Sequence, residues 1–322
     1  MKLSIITTIY RRPEEIDPFF ERMYTQKNKN FELIVVVDTN VFGQMEKLQK
    51  WSKKFKNKMK IAYNTKRQGR TKSNLDGIRM ASGEYTLFIS TSDEIKRFEG
   101  VGEIIASLKK TGSPDVLEFP ATFRGVTRWN SDLRIKAPTM VEIEKKPAVI
   151  AMTMPFALNK VYKTSLLLET ASQYNGVELN TRFSIELLYL FLNKHAKTFA
   201  TVNKRIIKTY VSKESVSFNP LRLSKQLVKN IVQADVSNSE YLQEVTYATL
   251  YSVAIFLPIF TIAYKNNIMF NKLFDQITKM YDKDLKTLLI TNKYLLKNNR
   301  EAIWLSAKRT KTELKKSIKE FR

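Results

Sequence analysis

The chain has 322 residues, 43% of them hydrophobic and 27% charged, which is material for one large folded domain plus a smaller module and excludes global disorder. Lys and Arg outnumber Asp and Glu by 55 to 31, and the resulting formal net charge of +24 attracts phosphates, nucleic acid or anionic lipid headgroups without choosing among them. No cysteine and one histidine, His195, exclude disulfides, thiolate metal centres, thiol nucleophiles and multi-histidine sites, so any bound metal must sit on oxygen ligands.

The opening MKLSIITTIY has one Lys before a short apolar run and no small-residue cleavage pattern, which reads as a cytoplasmic start. Residues 3–9 and 32–37 are apolar, β-branched runs without polar alternation, the pattern of strands covered on both faces. Between them PEEIDPFFERMYTQ spaces Ile16, Phe19, Phe20 and Met23 as one helical face, with Pro13 and two Glu in its first turn. A Lys-rich helix over 44–58, a strand over 60–64, a helix over 71–81 stopped by Gly83 and a strand over 84–90 follow. This alternation predicts an open, mostly parallel sheet whose ligands sit beyond the carboxyl ends of its strands, at 8–12, 38–40, 64–74 and 90–94.

Further on, 101–110 reads as helix, 115–119 as strand, 120–155 as a mixed segment broken by four prolines, 183–195 as helix, 198–211 as strand and 212–218 as a turn. From about 220 the chain reads as helical to its Lys/Arg-dense end. The charge-free stretch 245–264 is long enough to span a bilayer, but its three Tyr and Pro258 favour a buried helix, with an interfacial one as the alternative. His195, at the end of a predicted helix, reads as structural.

At the strand ends the sequence resembles the family-two inverting glycosyltransferases of the GT-A fold. LSIITTIYRRPE is similar to that family's first strand, FELIVVVDTN to its second, and GRTKSNLDGIRMASGEYTLFIS to its glycine-to-asparagine helix and Gly-Glu-Tyr strand. PFALNKVYKTSLL is similar to an Asn-Lys-x-Tyr segment of members that build surface polysaccharides, and TYVSKESVSF to their closing elements. The resemblance covers about residues 1–218 and implies an α/β GT-A domain there, Rossmann-like with flanking helices. A basic all-α region follows over 219–322.

The resemblance implies a nucleotide-sugar donor and a glycan or glycolipid acceptor. It places the donor site on Thr8, Tyr10, Arg11, Asp38, Arg70, Lys72, Asn74, Ser92 and Asp93. The family holds Mg²⁺ or Mn²⁺ on an Asp-x-Asp at this point, where this chain has Ser90-Thr91-Ser92. Asp93 and Glu94 then either bind a cation from a shifted register or cap the next helix. The family's catalytic base falls on Ile185, which leaves Glu186 or Glu178 for that role. Two functions stay open: an active transferase in which Lys or Arg replaces the metal's charge, and a catalytically inactive binding module. A nucleic-acid-binding protein is more distant, because no signature motif accompanies the Lys-rich segments. The basic C-terminus suggests contact with an anionic membrane surface at the inner leaflet, or its helices a homo-oligomer interface.

Overall fold

The computed structural model describes residues 1–10, 12–39, 43–125, 129–154, 157–173, 195–211 and 241–251, with isolated positions at 271, 275, 292–294, 310–313 and 316. The two apolar runs become β1 (Leu3–Ile9) and β2 (Phe31–Val37), every residue buried. A turn of 3-10 helix at Pro13–Glu15 leads into α1 (Ile16–Tyr24), which buries the predicted Ile16, Phe19, Phe20 and Met23. In α2 (Gln44–Phe55), Trp51 stacks on Phe20 at 5.9 Å between ring centroids. The N-terminal half continues through β3 (Met59–Tyr63), α3 (Arg70–Met80), β4 (Tyr85–Phe88), β5 (Glu94–Ile95) and α4 (Gly100–Lys110). Next come β6 (Val116–Glu118), β7 (Ala121–Gly125), β8 (Trp129–Asn130), β9 (Val141–Glu142), α5 (Ala148–Met152), β10 (Lys160–Lys163) and α6 (Thr164–Gln173). The last described elements are β11 (Thr198–Thr201), β12 (Ile207–Val211) and α7 (Leu242–Tyr251).

The central sheet is mostly parallel, in the order β3-β2-β1-β4-β10-β6-β11-β9, with helices against it. After β1 the chain adds β2 and β3 on one side, and β4 then pairs with the other side of β1. The order therefore switches between β1 and β4, and the loops leaving these strands part there to form a crevice. Helix α3 packs closely over it: a Cβ on Gly77 would stand 2.6 Å from Ile6 Cγ2. A smaller sheet, β5-β12-β7-β8, flanks the crevice.

Two expectations need correction. The predicted strand 198–211 is two strands in two sheets, because Val202–Arg205 turns away between them. Arg205 there donates to the carbonyls of Ala121 (3.2 Å) and Ser131 (2.9 Å). The mixed segment 120–155 contributes β7, β8, β9 and α5. Residues after 92 do not start a helix: Glu94 and Ile95 pair with Lys208 and Ile207, and α4 begins only at Gly100. The predicted helix 183–195 lies, apart from His195, outside the described residues. So does most of the helical C-terminus, 245–264 included beyond Tyr251. The described α7 packs on α5 and buries Tyr247, Ala248 and Tyr251. Among the described residues no helix is long and apolar enough to cross a membrane.

At the amino ends of the strands one carboxylate fastens three elements. Glu32 on β2 accepts from Ser4 Oγ (2.6 Å) and Ser82 N (2.7 Å), and pairs with Lys60 (3.0 Å) and Lys2 (3.2 Å). Burial raises its pKa, but the hydrogen bonds from Ser4, Ser82 and Lys60 outweigh that and pull it from 4.5 down to about 2. A depressed carboxylate pKa contributes stability fully above the unfolded value, and that contribution is lost as pH falls through 4.5 towards 2. Urea titrations should show the wild type losing about 2 kcal/mol more than Glu32→Gln between pH 5 and pH 3.

Candidate functional site

Sequence order alone separates Thr8, Arg70, Asn74 and Asp93, yet all four line one open cleft at the carboxyl ends of β1 and β4. Ile6, Phe88, Ala157 and Leu158 supply its apolar walls. Thr8 Oγ1 faces Asn74 Oδ1 at 3.4 Å, linking the end of β1 to the first turns of α3. Arg70 is the first residue of that helix, so its cationic side chain and the positive helix terminus face the same cleft. An anion there meets both.

Asp38, 2% exposed, shapes the loop that delivers Arg70. Its Oδ1 accepts from Asn64 Nδ2 (2.9 Å) and Gln68 N (2.8 Å), and its Oδ2 from Gly69 N (2.9 Å). Gly69 sits at φ 89°, ψ 163°, a conformation open essentially to glycine alone. The apolar run of β2 ends in this acid because a carboxylate at a strand's end can collect the N–H groups of the neighbouring loop. Beside it, the Arg67 guanidinium lies 4.6 Å from the centre of the Tyr10 ring, a stacked pair at the mouth of the Asp38 loop. Tyr10 was a sequence candidate and Arg67 was not. The signal for Arg67 was its place in the strand-to-helix loop NTKRQGR, where every cation flanks the glycine.

Opposite, Asp93 is 4% exposed and committed to the protein. Its Oδ2 accepts from Ser90 N at 2.8 Å, closing the 90–93 turn, and its Oδ1 takes the hydroxyl of Thr209 from β12. It thus ties the smaller sheet to the end of β4. Ser90 and Ser92 share a hydroxyl contact of 3.3 Å. Thr91 donates to Glu15 (2.8 Å), which Arg12 also holds (2.9 Å), so the loops after β1 and β4 are braced together.

Glu94, paired with Asp93 in the sequence as a cation site or helix cap, does neither. Its carboxylate lies between Arg22 (3.2 Å) and Lys208 (3.3 Å). Among the described residues no group of three or more His, Cys, Asp or Glu could hold a metal ion. Two neutral serines, a committed Asp93 and an ion-paired Glu94 do not fit a divalent cation. Lys72 likewise turns along its helix to Asp76, at 2.7 Å, rather than into the cleft. His195 meets Glu169 at 3.1 Å, away from the cleft. Arg11, Glu178 and Glu186 lie outside the described residues.

The wall carrying Ala157 and Leu158 is held from behind by two ionisable side chains, Lys160 of the Asn-Lys-x-Tyr segment and Glu118, to which the sequence alone assigns no role. Lys160, fully buried, donates to Met154 O (2.6 Å) and Asn159 Oδ1 (2.8 Å) and lies 3.5 Å from Glu118 Oε2. Burial pushes its pKa down to about 8 against the raising pull of Glu118. Glu118, also fully buried, accepts from Thr153 Oγ1 and Met154 N. Asn159 closes the arrangement by donating to Phe119 O at 2.9 Å.

Comparison with known proteins bears on this cleft. Residues 4–161 match the family described as glycosyl transferase family 2. A 97-residue stretch is 28% identical to a poly(ribitol-phosphate) beta-glucosyltransferase of Bacillus spizizenii and covers 30% of this chain. It spans 15% of that relative's length. The fold is shared with S. aureus TarS 1-349 in complex with UDP-GlcNAc, at a TM-score of 0.59 and 17% identity over 100% of this chain and 92% of that one. It is shared too with a Pyrobaculum calidifontis mannosyltransferase in complex with GDP-Man and Mn²⁺, at a TM-score of 0.54 and 12% identity over 99% and 86% of the two chains. At these identities the likeness to the solved structures shows the fold, which is GT-A-like.

Proposed function

We propose, from the match of residues 4–161 to glycosyl transferase family 2, that the chain transfers a sugar from a nucleotide-diphosphate donor to a hydroxyl of a surface glycan, glycolipid or polyol polymer. The observation that carries this is the convergence of Thr8, Arg70, Asn74 and Asp93 in the cleft at the β1/β4 switch point. The nucleoside lies against the Tyr10–Arg67 pair and the Asp38 loop, and the diphosphate against Arg70 and the amino end of α3. The positive helix terminus and the guanidinium stabilise the charge that grows on the departing diphosphate. The relatives' names, with UDP-GlcNAc, GDP-Man and poly(ribitol-phosphate), support a nucleotide-sugar donor and a polymeric acceptor.

For the reaction itself a base removes the acceptor hydroxyl proton, the oxygen attacks the anomeric carbon, and the nucleoside diphosphate leaves. We assign the base to Glu186, with Glu178 as the second candidate, and keep inversion of configuration from the family. No step is routed through a metal ion, since Asp93 and Glu94 are engaged elsewhere.

Incubating the purified chain with UDP- and GDP-sugars and following nucleotide release by chromatography tests the assignment. Release should fall by roughly 10²-fold in Arg70→Ala, the size of effect seen when one donor to a developing anion is removed. Glu186→Gln should abolish release while leaving donor binding intact. Donor binding with no turnover under any condition would leave a nucleotide-sugar-binding module, and absence of donor binding would remove the proposal.

A further inference from the structure

Helices α1 and α2 both run from the carboxyl to the amino edge of the sheet, so their ends meet on the side opposite the cleft. Five lysines gather there: Lys29, Lys53, Lys54, Lys56 and Lys58. All five are exposed, and none has an acidic partner among the described residues. Neighbouring lysines are treated differently, since Lys47 and Lys50 share Asp17 and Lys27 reaches Glu99. Lys53 and Lys54 fall in the last turn of α2, where the helix dipole favours cations, Lys56 and Lys58 in the 3-10 turn that follows it, and Lys29 in the loop before β2. Lys58 Nζ donates to the backbone carbonyl of Lys29 at 2.9 Å, and Lys29 Nζ donates to the backbone carbonyl of Tyr24. Burial, and then the charge of Lys58, lower the pKa of Lys29.

In the middle of this field stands Tyr24, 47% exposed, with Lys29 Nζ 5.2 Å and Lys54 Nζ 5.8 Å from its ring centre. Trp51 and Phe55 back it, and Lys54 also covers Trp51 at 4.5 Å. We propose that this lysine-and-tyrosine patch is a docking surface for an anionic membrane leaflet, with the cleft turned to the aqueous side. Three features favour a lipid surface over a bound polyanion chain. The cations are all lysines, compact point charges suited to a diffuse field, with none of the forked guanidinium geometry that grips individual phosphates. They sit on the ends of two helices rather than along a groove. The aromatic among them is a tyrosine, whose apolar body and polar tip suit the headgroup level. The proposal is independent of the donor chemistry, and membrane binding can be present or absent whatever the cleft accepts.

The test is sedimentation of the full chain with extruded vesicles of phosphatidylcholine, alone or mixed with phosphatidylglycerol. Each lysine near an anionic surface is worth about fivefold in partitioning, so removing three amounts to roughly a hundredfold. Wild type should bind the mixed vesicles, release from them as salt rises, and ignore phosphatidylcholine alone. The combined variant Lys53→Gln, Lys54→Gln, Lys58→Gln should lose about a hundredfold. A variant of the basic C-terminal tail, Lys308→Gln, Arg309→Gln, Lys311→Gln, should change binding by less than about fivefold. Should the patch variant melt early, Lys53→Arg, Lys54→Arg, Lys58→Arg keeps the charge and should retain vesicle binding, and loss in it would count against the proposal. Unchanged binding by the glutamine variant, loss confined to the tail variant, or preference for soluble polyphosphate over vesicles would each overturn it.

Discussion

Lys160→Met is expected to destabilise the fold by about 3–5 kcal/mol, the effect of breaking a buried ion pair from one side. Its ammonium group, without solvent exposure, holds Met154 O, Asn159 Oδ1 and the Glu118 carboxylate together. Methionine fills a similar volume but leaves the fully buried Glu118 as an uncompensated charge, and two oxygens lose their donor. Denaturant unfolding monitored by circular dichroism measures the loss. The double variant Lys160→Met, Glu118→Gln should recover part of it, because the stranded charge is then gone and the two effects are coupled. A single variant within about 1 kcal/mol of wild type would mean that the pair is not the buried clamp described here. The functional consequence follows from position: Met154 and Asn159 flank the Ala157–Leu158 wall, so a loosened clamp blurs one side of the cleft.

Asp38→Ala acts from the other side. Its carboxylate satisfies the backbone N–H groups of Gln68 and Gly69 and the amide of Asn64. Losing it should lower stability by about 2–3 kcal/mol, since each buried donor left without an acceptor costs about 1–3 kcal/mol and part of this loop reaches water. Donor affinity should fall by more than tenfold, because the loop places both Arg67 and Arg70. Asp38→Asn should lose less than the alanine variant: its amide oxygen can still accept from Asn64 and Gln68, while its amide nitrogen faces the Gly69 N–H with a donor where an acceptor is needed. Thermal melting and calorimetric titration with UDP-GlcNAc separate the two effects. Unchanged affinity in a variant of lowered stability would show that the loop does not set the donor site.

Much of the architecture was legible because the N-terminal strands are covered on both faces and so read as unbroken apolar runs, while α1 shows one apolar stripe. The end of β4 and the smaller sheet were not. Strands of two residues, such as Glu94–Ile95, carry no period to detect, and the pairing partners of Glu94 and Ile95 lie more than a hundred positions away. For the same reason Asp93 and Glu94 read as a helix cap or a cation pair. Nothing local reveals that Thr209, Arg22 and Lys208 engage them. At the candidate site the strand-end rule located Thr8, Asp38, Arg70, Asn74 and Asp93 without knowing which would face one another. Lys160, though part of the Asn-Lys-x-Tyr segment, and Glu118 gained no role from the sequence because a charged residue inside a strand normally reads as an exposed position. Only the fold shows that each is the other's reason for being buried.

The most direct measurement is a crystal of the chain grown or soaked with a nucleotide sugar such as UDP-GlcNAc, with Mn²⁺ and without it. The expected density has the base beside the Tyr10–Arg67 pair, the diphosphate at Arg70 and the amino end of α3, and no cation held by Asp93 or Glu94. Nucleotide bound elsewhere, a metal ion coordinated by Asp93, or a cleft that stays empty at saturating donor would contradict it.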